Sequence, residues 1–227
     1  MTKMQDNYLK ELKMLCWENS FTPEPTRAER LAFFAHLVAE MNTKINLISR
    51  RDIDSIIEKH VFLSAFVTKY IPDKVTNYLD IGTGGGFPGI PFAIMRPDLE
   101  GVLVDSTNKK ILAVQQFIDQ LKLSNVVAEN TRVESEEFIS KYTDAFDMIV
   151  SRSTVPLIIL LRYALPLIKD KAYLLAMKGG DLNDEYKKAE TKYKAYIRKS
   201  TVYELAYKPT NLRNKKGKKL VLLELQK

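Results

Sequence analysis

Cysteine is almost missing from this chain. Cys16 is the only one in 227 residues, which rules out an internal disulfide and suits a reducing cytoplasm. Long apolar runs are missing too: Arg162 and Pro166 break the greasiest stretch well short of the about 18 uninterrupted apolar residues of a membrane span. The opening MTKMQDNYLKELKM is charged throughout and lacks the apolar region of a signal peptide. The expectation is a cytoplasmic chain with no membrane partner. No internal repeat or low-complexity tract stands out.

What is present is ordinary for a soluble globular protein, 45% hydrophobic and 28% charged residues. Lys and Arg number 35 against 28 Asp and Glu, for a net charge of +7. Basicity of that size admits a polyanionic partner without requiring one.

The first seventy or so residues read as helical. Residues 3–18 place Met4, Tyr8, Leu12 and Leu15 at helical spacing, and Pro23 and Pro25 mark a connector. A second helix spans 26–41 over Leu31, Phe34, Ala35 and Val38, NTKINLIS at 42–49 breaks it, and helical pieces continue from Asp52 to Tyr70. From Val75 the pattern alternates. Strands are predicted at 76–81, 101–105, 125–129, 146–151 and 171–177, and helices at 88–96, 107–122, 134–141, 154–168 and 182–198. Such alternation implies a parallel, doubly wound sheet with ligands at the carboxyl ends of its strands. Two more strands, 201–207 and 219–225, are joined by a segment too short for a crossover helix, so they are predicted to be antiparallel.

The chain is organised around residues 77–92, NYLDIGTGGGFPGIPF. An apolar strand runs into Gly82, Gly84, Gly85 and Gly86, Pro88 follows, and an apolar helix begins. Glycines let backbone approach a ligand closely, and a helix start offers free amides to an anion. A dinucleotide fingerprint fits only in a forced register at Gly84, Gly86 and Gly89. That register keeps a nicotinamide-dependent oxidoreductase as a rival of a different class.

Asp80-x-Gly82-x-Gly84-x-Gly86 instead resembles, without adjustment, the glycine loop of S-adenosylmethionine-dependent methyltransferases. Asp105, ending the second strand, stands where a carboxylate accepts both ribose hydroxyls of an adenosine. Further strings sharpen the resemblance: Asn46-Leu47-Ile48, Lys59-His60, LVDSTNKK at 103–110, TRVE at 131–134, IVSR at 149–152 and AMKGG at 176–180. Collinear over about 40–225, they are similar to the small-subunit ribosomal RNA methyltransferase G family, also called glucose-inhibited division protein B.

The resemblance implies a Rossmann-like α/β fold of the class I methyltransferases: a seven-stranded, mostly parallel, doubly wound sheet with an antiparallel last strand. Residues 1–72 would form a helical extension and 73–227 the S-adenosylmethionine-binding domain. It also implies methylation of ring nitrogen 7 of one guanine in the decoding-region loop of 16S ribosomal RNA, as free RNA or in the 30S subunit. By carry-over, Gly82, Gly84, Phe87, Asp105, Val133, Glu134 and Arg152 bind the cofactor. No metal is expected, and a monomer is. Two positions depart from the family pattern. Gly85 replaces a frequent proline, and Leu63 stands before Ser64 where an aspartate is common, which leaves a partner for His60 unassigned.

Ring nitrogen 7 carries a lone pair and no proton, so no general base is called for and no catalytic residue is named. The fourth strand ends in Val150-Ser151-Arg152-Ser153, not the Asn/Asp-Pro-Pro-Tyr of amino-group methyltransferases, and Cys16 lies far from any strand end. Lys109, Arg132, Lys178 and Lys218 are the candidates for RNA binding. Lysines and arginines cluster at 187–199 and 213–219, the latter expected on a hairpin turn. Each phosphate they neutralise would steepen the salt dependence of binding by nearly one unit. Another RNA or a small molecule as acceptor, and RNA binding without catalysis, are the remaining alternatives.

Overall fold

The computed structural model describes residues 2–152, 155–208 and 217–227. Two helices open the chain: α1 (Lys3–Glu18) and α2 (Pro25–Asn42). Thr2 and Gln5 close a reciprocal capping box at the first, satisfying two amides that a helix start leaves free. The buried face of α1 carries Leu9, Leu12, Leu15 and Cys16, while Met4, predicted to be part of it, is half exposed at 50%. Pro25 begins α2, where a missing N–H costs nothing. After α2, the buried Asn42 side chain accepts from the amides of Leu47 and Ile48, at 2.8 and 2.9 Å, and shapes the break that the sequence predicts there. A 3₁₀ turn (Arg50–Ser55), a π-helical stretch (Ile57–Phe62), α3 (Leu63–Val67) and a second 3₁₀ turn (Thr68–Tyr70) complete the extension.

The remainder alternates β1 (Asn77–Ile81), α4 (Gly89–Met95), β2 (Glu100–Asp105), α5 (Asn108–Gln120), β3 (Val126–Asn130), α6 (Glu136–Tyr142) and β4 (Phe146–Arg152). It continues with α7 (Leu157–Ala164), β5 (Ile168–Gly179), α8 (Asn183–Tyr193), β6 (Ile197–Glu204) and β7 (Lys218–Gln226). The sheet order is β3-β2-β1-β4-β5-β7-β6. Strands β1 to β5 pair in parallel, and β7 runs antiparallel between β5 and β6. The expected mostly parallel, doubly wound sheet with its antiparallel last strand is thus the observed one. Strand order reverses between β1 and β4, where such sheets open a crevice for ligands.

Boundaries shifted where pairing overrode local preference. The helix predicted at 154–168 has given way by Ile168, which pairs with Phe146, and Pro166 has no N–H with which to continue it. The helix predicted to 198 ends at Tyr193, because β6 starts at Ile197 opposite Leu225, so the strand expected at 201–207 starts four residues earlier. Sheet pairing overrides the helix preference of the lysine-rich segment.

Both faces of the sheet are covered. On one, a continuous core runs from Leu12 and Leu31 through Phe34, Phe62 and Val61 to Phe87, Phe92 and Phe117. On the other, Leu79 and Ile149 pack with Phe138 of α6, Leu160 of α7 and Ala189 of α8. The N-terminal helices are tied to the sheet and its flanking helices by more than apolar contact. Arg27 donates to the Met95 carbonyl at 2.7 Å, and Arg30 donates to the carbonyl of Leu121.

Candidate functional site

The glycine loop is held from within by two aspartates. Asp80 is fully buried, and its Oδ2 accepts from Thr83 Oγ1 at 2.7 Å and from the Gly89 amide at 2.9 Å. The start of α4, expected to face an outside anion, is therefore taken by a carboxylate of the chain itself. Gly89 is required by space: a Cβ there would lie 2.6 Å from Leu103 Cγ and 2.8 Å from Asp80 Oδ2. Burial pushes the Asp80 carboxyl up to about 7, against the pull of its two donors and of Arg152.

Asp105 holds the loop from the neighbouring strand. One oxygen accepts from the Gly84 amide at 3.1 Å, the other from Thr107 at 2.9 Å. Thr107 occupies the cap position of α5 without a side-chain cap bond, so Asp105 links strand end, loop and helix without serving as the cap itself. Each of its oxygens keeps a lone pair beyond these bonds. Gly84 has φ +58°, and a Cβ there would meet nothing nearer than Gly82 O at 3.9 Å, so the loop is open on that side. Among the described residues the Gly85 amide has no backbone acceptor. An open loop, an anchored carboxylate and an uncommitted amide fit a ligand with a ribose and a carboxylate, as S-adenosylmethionine has. Gly85, where the family often has proline, packs close on Leu47: a Cβ would come within 3.0 Å of the Leu47 Cβ.

The other carried-over positions divide. Phe87 is 1% exposed, its ring 4.9 Å from Phe34, 5.3 Å from His60 and 4.9 Å from the guanidinium carbon of Arg152. Its side chain serves the core. Val133 is buried in the opposite core. Glu134 lies ahead of α6, whose cap is Ser135 and whose first-turn acids are Glu136 and Glu137, so it does not complement that helix. It pairs instead with the exposed Arg132 at 3.8 Å. Ser151 donates to the Ile81 carbonyl at 2.8 Å, tying β4 to β1.

Beside this loop, a cavity of about 430 Å³ opens between the extension and the sheet. The extension contributes Asp52, Lys59, His60 and Leu63 to its wall, β4 gives Arg152, and β5 gives Met177 and Lys178. Leu205, Lys218 and Lys219 close it. Lys218 and Lys219 begin β7, not a turn as predicted, and Arg213, Lys215 and Lys216 lie outside the described residues, as does Ser153. Lys178, read as either substrate-facing or a solvated strand end, has a side chain only 9% exposed and paired with Glu185 at 2.7 Å. Lys109 is exposed on α5, two strands away from β4, and Arg132 is on the loop after β3, so neither joins this cavity.

Three of the cavity's residues passed without a role in the sequence. Lys59 Nζ is 2.7 Å from Asp52 Oδ1, and His60 Nε2 is 3.6 Å from Asp52 Oδ2. Asp52 is thus the acidic neighbour of His60 that Leu63 leaves wanting. Burial alone would raise the Asp52 carboxyl, but the bond and charge of Lys59, with His60, hold it below the usual carboxylate range. Burial, then the Arg152 charge, push His60 down to about 3, leaving it neutral. Arg152 is itself lowered to about 10 by burial, against the pull of Asp80 and Asp52. Among the described residues, no group of three or more His, Cys, Asp or Glu is placed to hold a metal, and no helix is long and apolar enough to cross a membrane.

Comparison with known proteins agrees with this geometry. The family model described as rRNA small subunit methyltransferase G matches residues 27–212. A Chlorobium luteolum protein named ribosomal RNA small subunit methyltransferase G is 41% identical over 179 residues, covering 78% of this chain and 73% of that one. A Chlorobium chlorochromatii protein of the same name is 42% identical over 179 residues, with 78% and 74% covered. Among solved structures, M. jannaschii TYW2 in complex with AdoMet aligns at a TM-score of 0.57 and 15% identity, over 82% of this chain and 80% of that one, a likeness of fold alone.

Proposed function

The chain belongs to the rRNA small subunit methyltransferase G family, and on that premise we propose that it methylates ring nitrogen 7 of one guanine in the decoding-region loop of 16S ribosomal RNA, using S-adenosylmethionine. The observation that carries this reading is the pairing of two sites on one rim. Asp105 and the open glycine loop lie at β1 and β2, and a cationic cavity lies at β4, β5 and β7.

Asp105 takes the ribose, and the loop around Gly82 and Gly84, through the uncommitted Gly85 amide, meets the amino-acid end of the donor. Phe87 contributes its backbone, since its ring is buried. The backbone at Val133 and Glu134 flanks the adenine, and Arg152 stands between donor and acceptor sites. Lys218 serves the acceptor side, which Lys178 lines while held by Glu185, and Lys109 and Arg132 meet more distant RNA on the exposed rim. The donor supplies an electrophilic methyl, and the acceptor nitrogen needs no deprotonation. The protein's work is then alignment and exclusion of water, for which well-oriented reactants gain on the order of 7–11 kcal/mol. The polar strand end Ser151-Arg152 fits an acceptor without a proton to lose, and Cys16 is buried on α1. The protein acts as a monomer on 16S RNA in the cytoplasm, without a metal.

The test is transfer of labelled methyl from S-adenosylmethionine to 30S subunits from cells lacking the enzyme, followed by digestion to nucleosides. The expected product is 7-methylguanosine. Its absence from both 30S subunits and free 16S RNA overturns the proposal, as does a melting point raised by NADH and not by S-adenosylmethionine.

A further inference from the structure

The charged residues lining the cavity beside the glycine loop are cationic with one exception. Among the described residues Asp52 is the only carboxylate on its wall. Lys178 is committed to Glu185, and Lys59 to Asp52. Neither Arg152 nor Lys218 forms an ion pair among the described residues, and burial followed by the Arg152 charge lowers the Lys218 pKa. Two partly desolvated cations facing one space are stabilised by an anion from outside. A nucleotide phosphate is such an anion.

Asp52 needs another explanation. Its side chain is 30% exposed, anchored on one oxygen by Lys59, with the second oxygen 3.6 Å from His60 Nε2, longer than an ordinary hydrogen bond. That oxygen retains acceptor capacity. His60 is buried, its Nδ1 has no partner among the described residues, and its ring rests against Phe87. Lys59 and His60 belong to a π-helical stretch, an unusual backbone that recurs at functional sites. A carboxylate has thus been carried into a cationic cavity and anchored there by Lys59, with His60 beside its second oxygen.

We infer that Asp52 reads the Watson–Crick edge of the acceptor guanine, accepting from its N1–H and its 2-amino group, while Arg152 and Lys218 hold a flanking phosphate. This rests on the methyltransferase reading above. Guanine is the one base that sets two donors side by side on that edge. Adenine and cytosine each offer a ring-nitrogen acceptor that a carboxylate repels, so one residue both selects and rejects. His60 is a positioning residue, acting through Asp52.

The reaction gives Asp52 a second role. The nitrogen lone pair forms the N7–C bond as the C–S bond breaks, its electron pair staying on sulfur. The sulfonium becomes a neutral thioether, the positive charge passes to the guanine ring, and no proton leaves. In a cationic cavity that new charge is unfavourable. A carboxylate bonded to the far edge of the ring offsets it as it develops, so Asp52 binds the transition state more strongly than the ground state.

The experiment uses 30S subunits reconstituted with either guanosine or inosine at the target, inosine lacking the 2-amino group. Single-turnover rates, steady-state kcat and KM, and S-adenosylmethionine affinity are measured for the wild type, Asp52→Asn and His60→Gln. The wild type should prefer guanosine by about tenfold or more. Asp52→Asn should level the two substrates and lower kcat by on the order of a hundredfold, with KM and donor affinity little changed. His60→Gln should weaken the preference in part. A wild type that treats guanosine and inosine alike, a preference preserved in Asp52→Asn, or loss of donor binding in that variant each overturns the inference. Failure of the wild type to methylate the guanosine subunits would instead overturn the function proposed above.

Discussion

The guanidinium carbon of Arg152 lies 4.9 Å from the centre of the Phe87 ring, and that ring also packs against Phe34 and His60 of the helical extension. Phe87 therefore joins three things at once: the glycine loop that carries it, the extension behind it, and the strand end where the acceptor cavity begins. Arg152 gains an aromatic face in place of lost water, which for a desolvated cation is worth about 2 kcal/mol.

Replacing that ring should be costly in two ways. Phe87→Ala is expected to lower folding stability by about 3–5 kcal/mol, the usual range for emptying a buried phenylalanine. Phe87→Leu fills most of the volume and should cost less, but it removes the aromatic face under Arg152. Urea unfolding reads the first effect and methyl-transfer KM for RNA the second. A Leu variant with wild-type stability and KM would show that the ring is filler only.

Gly89→Ala tests the internal anion of the loop. The added methyl would sit 2.6 Å from Leu103 Cγ and 2.8 Å from Asp80 Oδ2, so either the sheet or the carboxylate must move. Overpacking of this kind costs about 1–3 kcal/mol. Because Asp80 holds both Thr83 and Gly89, its displacement should also loosen the loop. The expected result is a lower urea midpoint together with a smaller thermal shift on adding S-adenosylmethionine. A destabilised protein with an unchanged shift would separate Asp80 from ligand binding.

These two cases mark what was legible in the sequence. The loop was readable because strand, glycines and helix are contiguous, and a local pattern carries its own meaning. The alternation behind it gave the sheet, and the short joint before β7 gave its antiparallel direction. The edges of α8 and β6 were not readable, since lysine-rich sequence favours helix and only the partner Leu225 opposite Ile197 decides for strand. The cavity was harder still. Asp52, Lys59, Arg152, Lys178 and Lys218 come from five separate elements, and the Asp52–His60 relationship crosses a 3₁₀ turn and a π-helical stretch that have no regular period to recognise. Asp80 was visible as part of the motif, but its task of occupying the start of α4 depends on a fold that brings Gly89 back to it.

His60 predicts a pH dependence of stability. The unfolded chain takes up a proton near 6.5, while burial and Arg152 hold the folded ring unprotonated until about 3. Between those values the unfolded state binds more protons, so the contribution of His60 to stability is full above about 6.5 and is lost as pH falls toward 3. Asp80 acts in the opposite sense, its folded value near 7 favouring the fold at low pH. Comparing His60→Gln with the wild type cancels the Asp80 effect. Urea unfolding from pH 7.5 to 4 should show the variant losing less stability than the wild type, and parallel curves would contradict the assignment.

The last prediction separates two lysines that look equivalent in sequence. The side chain of Lys178 is largely covered and already paired with Glu185, so RNA gains little from its charge. Lys218 lines the same cavity and forms no ion pair among the described residues. Neutralising a phosphate with Lys218 releases counterions, and Lys178 has no such release left to give. Lys218→Ala should therefore weaken binding to 30S subunits and reduce the slope of log affinity against log salt by about 0.7–0.9. Lys178→Met should leave the slope near the wild-type value and lower stability, since Glu185 loses its partner. Filter binding over a salt series, with urea unfolding beside it, distinguishes the two. Equal changes of slope in both variants would mean that the Glu185 pair opens when RNA binds, and that the resting geometry of the cavity does not predict which charges the RNA meets.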